Sequence, residues 1–301
     1  MERCTEVTPM CPVEATTYGY YPVLGVNSAL CAVFGVLCIL QVIFCLLTRV
    51  RAYSIVIACG CLLECLGYGG RLIMHNNPWD PAGMKLQIVC IIIAPTFIVA
   101  GIYLTLKHVV RENGSQFSRI KPALYTWIFV GCDIGSIVLQ AIGGGVAAAA
   151  EDDMDLLEIG NGIIIAGIAF QVATMLTCGL LAAEYIIKVV RYRRCGSGIL
   201  QAQEKRSTPK AHIFKYAVIF AYLAILVRCI YRLPEMAGGW GNPRMRNEKE
   251  FLILDGLMVA LGTAALTLLH PGFFYPYMNS GPKENRKQNE SSSEQLGDVT
   301  L

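Results

Sequence analysis

Charge is what this chain has least of. Asp, Glu, Lys and Arg together make up 16% of its 301 residues, against roughly a quarter in a soluble globular domain. The deficit excludes an ordinary water-soluble fold, and the 54% hydrophobic content and mean hydropathy of +0.50 indicate lipid as the solvent. Net charge is only +3, so no basic field points to nucleic acid as a partner. No G-x-x-x-x-G-K-[ST] phosphate loop occurs, and with it goes ATP hydrolysis of the P-loop kind. Histidine is scarce too. His75, His108, His212 and His270 sit in separate loops or span ends, so the roughly three ligands a catalytic zinc wants do not converge. Neither metal nor cofactor is expected, nor is enzymatic activity. An intramembrane hydrolase is the third-ranked reading.

No secretory leader is expected, because residues 1 to 21 are polar and mixed in charge. The first apolar segment is therefore read as a retained span. A bilayer core of about 30 Å takes roughly 20 apolar residues per helix. Seven stretches qualify: 23 to 48, 52 to 74, 86 to 107, 123 to 148, 160 to 188, 212 to 233 and 251 to 271. The expected class is an all-α membrane protein, a seven-helix bundle over residues 22 to 275. An extracellular segment precedes it (1 to 21), and a polar tail (276 to 301) follows that cannot bury enough surface to fold alone.

Direction follows from where lysine and arginine gather, since basic loops stay cytosolic. The first, third and fifth loops carry Arg49 and Arg51; Lys107, Arg111, Arg119 and Lys121; and Lys188, Arg191, Arg193, Arg194, Lys205, Arg206 and Lys210. The fourth loop, EDDMDLLE, is acidic. The N-terminus is expected outside and the C-terminus in the cytosol. Of thirteen cysteines, ten lie within apolar runs and read as small buried hydrophobes. Cys4 and Cys11 are in the polar leading segment and form a disulfide if that segment faces an oxidising compartment.

The few intramembrane polar groups carry the functional signal, because an unpaired charge in hydrocarbon is costly and such residues face the interior, pair, and mark substrate pathways. Arg228, Arg232 and Glu235 fall on one helical face, with Tyr231 beside them. At about 1.5 Å per residue, Glu64, Arg71, Gln87, Asp133, Gln140, Asn161 and Asp255 also fall midway or in the outer half of their spans. Three carboxylates (Glu64, Asp133, Asp255) and three arginines (Arg71, Arg228, Arg232) are expected to compensate one another in a shared polar cavity. Glycines 67, 69, 70, 143, 144 and 145 read as close helix contacts. Pro95 frees a carbonyl and is expected to kink the third span. His270 reads as a cation at a helix end.

Seven motifs, EATTYGYYPVLGVN (14 to 27), ECLGYGGR (64 to 71), APTFIVAGIYL (94 to 104), DIGSIVLQAIGGG (133 to 145), RCIYRLPEMAGG (228 to 239), EFLILD (250 to 255) and HPG (270 to 272), together resemble the fungal lipid-translocating exporter family. These are the RTA-like proteins associated with aminocholesterol resistance. The resemblance spans residues 18 to 272. It implies a seven-span protein of the fungal plasma membrane that handles sphingoid bases, phospholipids, sterol-like toxins or porphyrins. Its characteristic polar positions match Glu64, Arg71, Gln87, Asp133, Gln140, Gln171, Arg228, Arg232, Glu235, Glu250, Asp255 and His270, with Glu250 and His270 in structural or gating roles. Departures are Val23 after Pro22, Gln41 in place of a histidine, and Pro234 between Arg232 and Glu235. The resulting expectation is a translocator or binder of lipid-like amphiphiles, with membrane lipids and a small amphiphile as partners and the oligomeric state left open. An amphiphile-sensing receptor is the runner-up, although the third span ends LKHVVREN without Asp-Arg-Tyr, the last ends HPGFFYPY without Asn-Pro-x-x-Tyr, and residues 251 to 271 offer no lysine for retinal.

Overall fold

The computed structural model describes residues 4–113, 122–150, 153–194, 209–239 and 241–275. The tail from 276 onward lies outside the described residues. Seven helices are long and apolar enough to cross a membrane: α1 (Leu24–Leu47), α2 (Arg51–Asn76), α3 (Pro81–Asn113), α4 (Pro122–Ala149), α5 (Met154–Arg194), α6 (Pro209–Ala237) and α7. The last is continuous from Glu248–Phe251 through a π-helical stretch, Leu252–Leu257, into Met258–Leu268, and a short α8 (Pro271–Phe274) follows. No strand occurs among the described residues, and the expected all-α heptahelical class is borne out.

Several helices begin earlier than the apolar runs suggest. Proline is the first helical residue of α3, α4, α6 and α8, where its missing N–H costs nothing and its fixed φ starts the turn. The ends of α3 and α5 run on as polar turns. Pro95 does not interrupt α3, which is one helix on either side of it.

Each helix packs on its neighbour in sequence, α7 returns to α1, and α3 also touches α6 across the middle. The distribution of side chains is inverted relative to a soluble protein. Leu46, Leu180 and Ile39 are exposed, whereas Glu64, Arg71, Asp133, Arg228 and Asp255 are buried. That pattern is stable only when hydrocarbon surrounds the bundle. Gly70 shows how closely α2 and α3 approach: a Cβ there would stand 2.7 Å from the Gly83 carbonyl and 2.9 Å from the Gln87 nitrogen. Gly143 does the same between α4 and α5, its would-be Cβ 2.7 Å from the Ile164 nitrogen. Gly69, Gly144 and Gly145 face open space and make no such contact.

The N-terminal segment caps one end of the bundle. Cys4 and Cys11 are joined by a disulfide. The Asn77 amide donates to the Thr5 carbonyl at 2.8 Å, the Trp79 indole to the Cys11 carbonyl at 3.3 Å, and Arg246 to the Glu14 carbonyl at 3.3 Å. The segment is thus tied to the α2–α3 and α6–α7 connections, and Tyr18 and Tyr20 enter the bundle behind it.

At the opposite end, His270 lies two residues beyond the last span and is fully buried. Its Nδ1 accepts the Gly272 N–H at 3.1 Å, which leaves the proton on Nε2, 2.9 Å from Ser54 Oγ. The imidazole is neutral and caps α8 rather than acting as a helix-end cation. Burial pushes its pKa down from 6.5 to about 4. Because the folded value lies below the unfolded one, the stabilisation is whole above pH 6.5 and is lost as pH falls from 6.5 toward 4, at about 1.4 kcal/mol per unit. Thermal unfolding in detergent micelles should drop through that window, and His270→Gln should flatten the drop. An unchanged slope in the variant would contradict the assignment.

Candidate functional site

Arg228 ties four helices together. Its Nε pairs with the Asp255 carboxylate of α7. Its Nη2 donates to the Ile91 carbonyl of α3 at 2.5 Å, and Glu64 of α2 is an electrostatic neighbour of both Arg228 and Asp255. The Ile91 carbonyl is free because Pro95, four residues later, has no N–H to offer it. Asp255 sits in the π-helical stretch, a wide turn that shifts helix register and recurs at functional sites. Gly256 beside it leaves room for Tyr68, whose hydroxyl would stand 2.5 Å from a Cβ at that position.

Arg71 forms a second centre nearer the capped end. It is completely buried. Its Nη2 donates to Glu248 Oε1 at 2.7 Å and to the Tyr20 hydroxyl at 3.1 Å, its Nε to Asn27 Oδ1 at 2.8 Å, and its guanidinium lies 4.5 Å from the Phe251 ring centre. Glu248 also accepts from the Val23 N–H at 3.0 Å and from Asn27 at 3.0 Å. As an acid in the first turn of α7, it meets the positive end of that helix as well. Gln87 donates to the Tyr18 hydroxyl at 3.0 Å. Burial pushes the Tyr18 pKa up to about 12 and raises that of Tyr20, so both remain neutral hydroxyls. Arg232 and Glu235 pair at 2.9 Å one turn apart, with Tyr18 and Asp255 as electrostatic neighbours of Arg232. Tyr231 is buried beside them with its hydroxyl unpartnered.

The remaining residues singled out in the sequence stand elsewhere. Gln140 donates to Gln171, and Gln171 to Thr96, each at 3.4 Å, which stitches α4, α5 and α3. Glu250 accepts from Asn247 at 2.8 Å on the rim. Asp133 keeps company with Tyr103 and not with an arginine. The six charged groups expected to meet in one hollow are therefore divided: Glu64 and Asp255 meet Arg228, Arg232 keeps Glu235 and lies near Asp255, Arg71 takes Glu248, and Asp133 is apart. Sequence reasoning missed Glu248, Asn27, Tyr18, Tyr20 and Tyr68. The available signal for Glu248 was an acid opening an apolar helix that runs from the same side as the end of α2.

A cavity of about 510 Å³ lies in the half of the bundle away from the N-terminal cap, between α3, α5 and α6. Its walls are apolar, with Ile102, Leu106, Leu176, Ile219 and Leu226 among them, and His212 and Lys215 mark its basic end. None of the site residues expected from the sequence lines it. Among the described residues, no cluster of three or more His, Cys, Asp or Glu is arranged to hold a metal.

Residues 57–278 match the family model described as RTA1 like protein. The chain is 35% identical over 282 residues to the sphingoid long-chain base transporter RSB1 of Saccharomyces cerevisiae, covering 85% of this chain and 74% of that one. It is 28% identical over 218 residues to protoporphyrin uptake protein 1 of the same yeast, covering 69% and 65%. It is 24% identical over 282 residues to a probable lipid transporter, atnI, of Emericella nidulans, covering 88% and 73%. No solved structure matches significantly. With the family model spanning most of the helical body and a relative at 35% identity across most of both sequences, the chain belongs to the RTA1-like protein family.

Proposed function

We propose that this multi-pass protein translocates lipid-like amphiphiles, sphingoid long-chain bases foremost, across a fungal plasma membrane, with its capped N-terminal end outside and without acting as an enzyme. The observation that carries the reading is the 35% identity, over nearly the whole helical body, to a relative named as a sphingoid long-chain base transporter. The geometry supports it. Buried polar atoms with open hydrogen-bonding capacity gather near the capped end: Glu64 Oε1, Tyr68 Oη, Tyr231 Oη, Gln87 Oε1 and Arg71 Nη1. Buried polar groups are normally satisfied, and a lipid headgroup would satisfy these. A separate apolar cavity lies in the other half of the bundle. With no P-loop in the sequence, the drive is a gradient or the step is passive.

The test is expression in a yeast strain deleted for its own sphingoid base transporter, with release of tritiated sphinganine measured. The chain should restore release and tolerance. Glu64→Gln should cut release by roughly tenfold, about the worth of one charge-assisted hydrogen bond. Absence of release, with the protein confirmed at the cell surface, would overturn the reading.

A further inference from the structure

At the end of the cavity between α3, α5 and α6 that lies away from His212 and Lys215, the chemistry is one-sided. Tyr103 of α3 and Tyr222 of α6 both line it. The Tyr222 hydroxyl donates its proton to the Met175 carbonyl, so toward the cavity it has only lone pairs to offer. The Tyr103 hydroxyl is completely buried, with the Asp133 carboxyl as its polar neighbour. Behind it stands the Asp133 carboxyl, an electrostatic neighbour of Tyr103, Tyr222 and Cys178. Asp133 is 1% exposed, its Oδ1 is unpartnered, and no described arginine or lysine pairs with it. A buried carboxyl without a cation is an expensive arrangement in a bilayer. Facing Asp133, the Tyr103 hydroxyl points its proton at the carboxyl and leaves its oxygen as an acceptor for something else.

An acceptor-rich end backed by a carboxyl selects a headgroup that donates and is positive. Entry is sideways. Leu180, Ile186, Ile219 and Leu223 line the cavity yet are exposed on the outside of the bundle, so the space opens to lipid between α5 and α6. A volume of about 510 Å³ lies within the range of small-ligand sites, roughly 300–1,000 Å³.

We infer that this cavity is the binding station for a long-chain primary amine, its ammonium on the Tyr103 and Tyr222 oxygens with Asp133 as counter-charge, and its chain against the apolar walls toward the α5–α6 opening. The inference rests on the transport reading above and adds to it a second station, separate from the open polar atoms near the capped end, with its own polarity. Tyr103 and Tyr222 would touch the ligand, and Asp133 acts through Tyr103 as a positioning residue.

The experiment is equilibrium binding of tritiated sphinganine to the purified full chain in nanodiscs, with octadecylamine and octadecanol as competitors. Wild type should bind sphinganine and yield it to octadecylamine far more readily than to octadecanol. Tyr103→Phe and Asp133→Asn should each weaken sphinganine and octadecylamine by about tenfold or more, the worth of a hydrogen bond to a charged group. They should leave octadecanol unchanged, a split that a merely structural role would not produce. Leu223→Trp, at the lipid-facing mouth, should weaken all three. If Asp133→Asn fails to fold, Tyr103→Phe decides the matter, since it removes one oxygen. Wild-type amine affinity in Tyr103→Phe, or equal competition by the alcohol, would overturn the site. Transport by wild type in cells alongside that result would leave the transport reading standing. Neither binding nor transport by wild type would end both.

Discussion

Arg228→Met should destabilise the bundle by about 3–5 kcal/mol, the usual cost of removing one partner of a buried ion pair, read as a large fall in unfolding temperature in detergent micelles. The reason is what the change leaves behind. Asp255 and Glu64, both 1% exposed, would face each other without their shared cation, and the Ile91 carbonyl would lose its donor. Arg228→Lys should recover only part of the loss, because an ammonium cannot serve the carboxylate and the carbonyl with the planar fork that a guanidinium provides. The partners should couple. Adding Asp255→Asn and Glu64→Gln to Arg228→Met should restore much of the stability, since the repelling charges are gone. A triple variant no more stable than the single one would show that Arg228 matters through packing alone.

The second large effect is expected at Arg71. Arg71→Met removes the hub that joins α1, α2, α7 and the N-terminal segment, and should cost about 2–4 kcal/mol. The figure is smaller than for Arg228 because Glu248 is 11% exposed and keeps the Val23 and Asn27 donors. A local consequence should accompany it. Tyr20 loses its contact and residues 4–23 should become cleavable by protease in intact membranes, while hydrogen exchange in α4 and α5 stays as in wild type. Glu248→Gln should produce a milder version, since an amide oxygen still accepts. Unchanged protease resistance in Arg71→Met would mean that the cap is held by its loop contacts and not by this hub.

Much of the architecture was legible because hydrocarbon imposes a length on every span, and seven runs of sufficient length are hard to misread. What a one-dimensional reading cannot supply is which way each residue faces around its helix axis and how far one helix is turned against the next. Arg71 and Glu64 share a helix, but they are seven residues apart and reach different neighbours. The wide turn in α7 rotates Asp255 toward Arg228, and nothing in LILDGL announces an extra residue in that turn. Pro95 was legible as the source of a free carbonyl, although not as the seat of a particular arginine. His270 was placed correctly at a helix end but given the wrong charge, because its burial comes from Ser54, Phe44 and Tyr53 on other helices. The cavity left no trace in the sequence, since its walls are ordinary aliphatic residues and Tyr103 reads as one aromatic among many.

The stapled segment over the N-terminal end bears on supply. With Cys4–Cys11 closing a roof that is pinned to two connections, the slot between α5 and α6 is an open flank among the described residues. Under the proposed function, a guest arrives from the plane of the membrane and not from bulk water. The concentration the protein senses is then the mole fraction of guest dissolved in the surrounding lipid, and compounds of equal aqueous concentration are ranked first by how readily they partition.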